Sequence, residues 1–158
     1  MQSIDFPFDK FNFNSESILE GLPEEDVALL TKSMVTHSYK KGEILFRDGS
    51  YPTGIYFIKK GKVKKYKTDK EGKEQIFYVY RKGEFLGYHA LISEEKFTDT
   101  ASTIEESVIS FIPKDDFLQA IQASSILSNR LLKVMRHLAN HYGYEIPAAY
   151  LKLASVQY

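Results

Sequence analysis

An α+β fold, a small antiparallel β-roll or jelly-roll barrel with helices at both ends, is predicted by three observations. The stretch from residue 40 to 101 contains runs rich in β-branched and aromatic residues. Glycine turns at Asp48-Gly49, Lys60-Gly61, Glu71-Gly72 and Lys82-Gly83 separate these runs, a spacing of about ten residues typical of small all-β rolls. On either side, apolar residues recur at helical rather than strand spacing.

Taken in order, residues 1–14 are an N-terminal extension and residues 15–36 read as helix. Ser15 or Ser17 is a candidate cap. Leu22-Pro23-Glu24-Glu25-Asp26 is a second start, with Pro early and acids in the first turn. Val27, Leu30 and Met34 then follow at helical spacing. Strands are predicted at Ile44-Leu45-Phe46, from Gly54 to Ile58, from Lys62 to Lys67 and from Glu74 to Tyr80, with a later pair between Thr100 and Ile112 closed by Pro113. Residues 114–144 read as one long helix, started by Asp115 and Asp116 and stopped at Gly143 with Pro147 beyond. It carries two apolar stripes. Leu127, Leu131, Val134 and Leu138, with His141, alternate steps of four and three as a coiled-coil seam does, and Leu132, Met135, Ala139 and Tyr142 lie beside them. Two stripes need two partners. Homodimerisation through the first is the expectation; packing of both within one monomer is the alternative.

Composition narrows function. Lys+Arg and Asp+Glu are equal at 21 each, so no global charge draws the chain to nucleic acid or anionic membrane. Without cysteine there is no disulfide, thiolate metal site or cysteine nucleophile, which suits a reducing cytoplasm. The N-terminus lacks the basic and apolar regions of a secretory signal, and no apolar run is long enough to span a bilayer. A cytoplasmic protein without membrane contact is expected.

The order of marks resembles the cyclic-nucleotide-binding domain of the CRP/FNR family of bacterial transcription regulators. Gly42 to Gly49 is similar to its first glycine-bounded strand, Gly54 to Val63 to its central hairpin, and Gly83-Glu84-Phe85-Leu86-Gly87 to the entry of its phosphate-binding cassette. Phe111-Ile112-Pro113 followed by Asp116-Phe117 resembles the exit into its long dimer helix. The resemblance covers about residues 20–145 and implies a ligand sensor with a short cassette helix, a domain over 15–145 and a dimer helix over 114–144. In that family a glutamate after the cassette's second glycine takes the ribose and an arginine takes the cyclic phosphate. Here those positions hold Tyr88 and, across a one-residue insertion, Asp99 in Thr98-Asp99-Thr100-Ala101. A carboxylate in place of a guanidinium repels phosphate and removes the bidentate contact. Cyclic nucleotide in the usual mode is therefore not expected, and the effector is an unknown small molecule.

The resemblance implies a pocket of Gly87, Tyr88, His89, Asp99, Thr100 and Ala101, roofed by His141 and Tyr142. Such a site suits a planar or carboxylate-bearing ligand. Alternatively, Tyr88 fills the space and hydrogen-bonds Asp99, leaving a ligand-free interaction module. No metal is expected. His137 and His141 stand four apart on a helix without an acid to complete a shell, and His89 lacks a second axial partner for haem. A cupin-like metalloenzyme needs a His-x-His pair that is absent, and no G-x-S-x-G elbow marks a nucleophile, so no catalysis is expected. The basic run from Lys59 to Lys67 reads as the wet face of a hairpin, and Arg81, Lys82 and Lys96 as solvated loop charges. The family's DNA-reading helix-turn-helix does not fit within residues 146–158, which read as its hinge or first remnant. DNA contact is expected only through a domain missing from this chain.

Overall fold

The computed structural model describes residues 19–142 and residue 148; of Val134, His137, Leu138, Ala139, His141 and Tyr142 it describes the backbone alone. Ser15 and Ser17, Gly143 and the residue 146–158 segment lie outside the described residues, apart from Ala148. Eight strands are described: β1 (Val35–Tyr39), β2 (Ile44–Phe46), β3 (Gly54–Lys60), β4 (Lys62–Thr68), β5 (Glu74–Arg81), β6 (Phe85–Leu86), β7 (Thr100–Thr103) and β8 (Ser107–Pro113). They form two antiparallel four-stranded sheets, ordered β1-β8-β3-β6 and β2-β7-β4-β5. The helices are α1 (Glu24–Thr31), the cassette helix α2 (Tyr88–Ser93), α3 (Lys114–Ala123) and α4 (Ser125–Tyr142). The α+β roll expected from the glycine-bounded runs is present, and the predicted starts of β2, β3, β4 and β5 are the observed ones.

Strand alternation makes two cores. On β3, Ile58 and Tyr56 face the roll interior, where Val63, Tyr80, Leu86, Ala101 and Ile109 gather. The neighbouring Ile55 and Phe57 face the other way, into a helical core with Leu30, Phe85, Tyr88, Phe117, Leu127 and Leu131. From Ile55 to Ile58, β3 therefore packs into a core on each side, and the cassette leaves this sheet directly from β6.

Three expectations are corrected. The N-terminal helical zone ends early: Thr31 turns its hydroxyl back onto Val27 O at 3.0 Å, and residues from Val35 on pair with β8, Val35 opposite Phe111 and Tyr39 opposite Ser107. Of the expected stripe, Leu30 is buried while Val27 is 38% exposed and Met34 lies beyond the helix.

Second, the helix predicted over 114–144 is two helices. Ser124 is extended, with φ −110° and ψ 104°. Its Oγ accepts from Leu127 N at 3.1 Å, capping α4, and donates to Asp26 of α1 at 2.6 Å. One serine thus ends α3, starts α4 and ties both to α1.

Third, the seam is partly consumed within the monomer. Leu127 is 1% and Leu131 3% exposed, both packed in the helical core. They are not available to a second copy. The side chains of Val134 and Leu138 lie outside the described residues.

Candidate functional site

The cassette follows from a backbone constraint. Gly87 sits at φ 95°, a left-handed conformation that costs glycine little, and it turns the chain from β6 into α2. Residues spaced i, i+3 and i+4 on this short helix face the core, so Tyr88, Leu91 and Ile92 are buried. The same geometry turns His89 outward, and it is exposed. Surrounding protein still lowers its imidazole pKa by hindering solvation of the charged form, with Glu95 opposing and Lys65 assisting. His89 does not join the expected pocket floor.

Tyr88 turns toward the helical layer. It lines a void of about 10 Å³ with Leu30, Ile55, Phe85, Phe117, Leu127 and Leu131, room for a single water at most. Burial first, then the neighbouring Tyr80 and Glu84, push its phenol pKa far up. Tyr88 thus fills space among the apolar residues of the helical core. The Asp99 carboxylate acts on Tyr80, whose pKa is also raised, chiefly by burial and then by Glu84 and Asp99. Asp99 is half-buried and accepts from Thr98 Oγ1 at 3.3 Å.

Sequence reasoning missed the centre of this polar group. Glu84, read as part of the cassette entry, accepts from the Tyr78 hydroxyl at 2.6 Å and from Arg81 N at 3.0 Å. Tyr78 and Tyr80, two residues apart and so on one face of β5, meet edge to face with centroids 4.6 Å apart. That alternation was the available signal.

A second miss is Phe97, in the loop that holds the one-residue insertion. Glu94, at φ 57°, ends α2, and the chain returns to clip itself to the turn after β2. Gly49 N donates to Phe97 O at 2.7 Å and Phe97 N to Ser50 O at 2.8 Å. The Phe97 ring is buried, stacks on Phe46 at 3.7 Å and lies against Gly87. The same turn is held by Thr100, whose hydroxyl accepts from Asp48 N at 3.1 Å. Ala101 is fully buried in the roll and pairs with Phe46 and Lys65. Of the expected pocket residues, Gly87 lies at the turn into α2, Asp99 and Thr100 are half-buried at the entry to β7, and Ala101 is inside the roll. His141 and Tyr142 have described backbone only, in the last turn of α4.

The family model of the cyclic nucleotide-binding domain matches residues 36–124, more than half of the sequence and all but the first residue of the roll just described. This chain belongs to that family. Among its relatives, the cyclic AMP receptor protein of Thermus thermophilus is 23% identical over 118 residues, covering 75% of this chain and 55% of that protein. Human cGMP-dependent protein kinase 2 is 32% identical over 82 residues, 51% of this chain and 11% of the kinase. The sensor domain of the transcriptional regulator DNR from Pseudomonas aeruginosa superposes with a TM-score of 0.72 at 22% identity, covering 84% of this chain and 89% of that domain. The likeness to CRP/FNR regulators read from the sequence stands, and the chain spans about half the length of the Thermus relative. Among the described residues, no group of three or more histidines and acids is placed to hold a metal, and no helix is long and apolar enough to cross a membrane.

The tyrosines make the domain sensitive to alkali. Burial, then Tyr39, pushes Tyr56 up to about 12, and Tyr80 and Tyr88 go further. Below their ordinary value of 10.0 both folded and unfolded chains keep these protons, so stability is unaffected. Above it the unfolded chain ionises first and binds fewer protons, so stability falls with rising pH. The urea midpoint should therefore be level up to about pH 9 and drop steeply from pH 10 to 12, with phenolate absorbance appearing as the protein unfolds.

Proposed function

We propose that this chain is the effector domain of a CRP/FNR-like regulator whose nucleotide site is closed to cyclic nucleotides in their usual mode. It senses another small molecule or works as a self-filled interaction module, and it catalyses nothing. One observation carries this reading: the cassette entrance holds the Phe97 ring against Gly87 and the Asp99 carboxylate nearby in sequence, where the family's mode needs open backbone N–H groups and a cation. The tyrosine and glutamate group around Glu84 favours the self-filled form, because its polar atoms already have partners. In the intact regulator, homodimerisation along α4 would involve Val134 and Leu138, DNA would be read by a domain beyond this chain, and the setting would be the cytoplasm.

Titration of the chain with cAMP and cGMP by isothermal calorimetry and thermal shift tests the reading. No saturable heat and no shift are expected up to millimolar ligand. A nucleotide at a hundred times its dissociation constant would stabilise the fold by about 2.7 kcal/mol, so a clear shift with either one sinks the proposal. A shift with a planar carboxylate and not with nucleotides would select the small-molecule sensor over the self-filled module.

A further inference from the structure

The basic hairpin read from the sequence as a wet surface is one part of a larger feature. Strand register brings three cationic turns to the same end of the roll. Tyr39, the last residue of β1, pairs with Ser107, so the 40–43 turn lies beside the start of β8. Lys60 pairs with Val108, which brings the β3–β4 turn to that end. Lys62 pairs with Arg81, which adds the turn after β5. Backbone bonds fix the juxtaposition: Gly42 N to Thr103 O at 2.9 Å, Ile104 N to Lys62 O at 3.0 Å and Gly83 N to Ile58 O at 2.8 Å.

Lys40 and Lys41 stand on the first turn, Lys59, Lys60 and Lys62 on the second, Arg81 and Lys82 on the third, and all are exposed. Against them stand Glu43, Glu105, which pairs with Lys62 at 3.7 Å, and Glu106; Glu84 is turned inward to Tyr78. A chain of zero net charge thus concentrates cations on one face.

We infer that this end of the roll binds the phosphate backbone of a nucleic-acid duplex without reading its sequence. The surface consists of projecting turns rather than a pocket, and strand and sheet spacings of about 5 and 10 Å spread its charges across several phosphates. The exposed large hydrophobics among the described residues, Val27, Val35, Tyr51 and Ile126, all lie outside these turns. A protein partner draws most of its affinity from apolar and aromatic anchors, whereas a phosphate backbone needs cations alone. Lysine ammoniums, mobile point charges, suit a partner with no fixed register. This contact is separate from the ligand reading above and adds a sequence-independent grip to whatever reads DNA elsewhere.

The test is fluorescence anisotropy of a labelled random-sequence 30-base-pair duplex with the 158-residue chain, titrated from low to physiological salt. Binding should weaken log-linearly with salt. The triple variant Lys59→Glu, Lys60→Glu and Lys82→Glu should lose about tenfold or more at low salt and flatten the slope by about 0.9 per phosphate contact removed. The charge-matched variant Lys67→Glu, Lys70→Glu and Lys73→Glu, toward the opposite end of β4 and β5, should bind as the parent does. Circular dichroism confirms that both variants are folded. No binding by the parent overturns the proposal, as do equal losses in the two variants. Retention on phosphatidylserine vesicles without duplex binding also overturns it and makes the face a membrane contact instead.

Discussion

Replacing Leu127 with alanine should cost the folded monomer about 2–5 kcal/mol, the range for deleting a buried leucine where the cavity cannot fully collapse. The side chain is 1% exposed and sits among Leu30, Tyr88, Phe117 and Leu131, beside an existing void. The cavity left by Leu127→Ala would merge with that void, which argues for the upper half of the range. The readout separates two roles. If Leu127 belongs to the monomer's own core, its loss lowers the urea midpoint equally at all protein concentrations. A residue of a dimer seam would make the midpoint depend on concentration and would shift sedimentation toward monomer. A concentration-dependent loss would overturn the packing described above. The corresponding Val134→Ala and Leu138→Ala variants, read by sedimentation, test the dimer contact proposed for the later part of the same stripe.

That stripe shows how far the sequence could be read. Its heptad spacing placed Leu127 and Leu131 on one face of a helix, and they share one. Spacing does not say what covers a face, and here α1, α3 and the cassette do so first. The strands from β2 to β5 were legible because each is bounded by glycine turns and filled with β-formers, so local preference and tertiary structure agree. β1 was not: Val35-Thr36-His37-Ser38 is exposed, only Tyr39 is half-buried so there is no buried alternation, and its partner β8 is distant in sequence. The break at Ser124 was hidden for another reason. Helical periodicity continues through it, and the residues that reveal it, Asp26 and the Leu127 amide, meet Ser124 only in the folded chain. In the site, the residue types at 88 and 99 were enough to question nucleotide binding. The placement of Phe97 was not legible, because it depends on a backbone pairing between the post-cassette loop and the turn at Gly49 and Ser50.

Gly54→Ala is expected to be among the most damaging single-methyl additions in the roll. Gly54 opens β3 opposite Pro113, with Ile55 opposite Ile112 beside it. A methyl group built on Gly54 would overlap the Ile112 carbonyl oxygen and the Phe111 ring. The ring could rotate away, but the carbonyl belongs to the central strand pair and cannot move without parting β3 from β8. That strand pair packs against the roll core on one side and the helices on the other, which limits how far the strain can relax. The cost should lie at the top of the overpacking range, about 3 kcal/mol or more. Damage should also spread. Pro113 leads directly into α3, Lys114 N bonds Thr53 O at 2.9 Å, and the Gly54 carbonyl lies beside Gly87 at the cassette entrance. Hydrogen exchange on the variant should therefore show early opening at β3, the first turn of α3 and the residues around Gly87, while the β4–β5 hairpin keeps more of its protection. A variant with parental stability would mean that the β3–β8 pair yields, and that close packing at Gly54 does not hold the cassette in place.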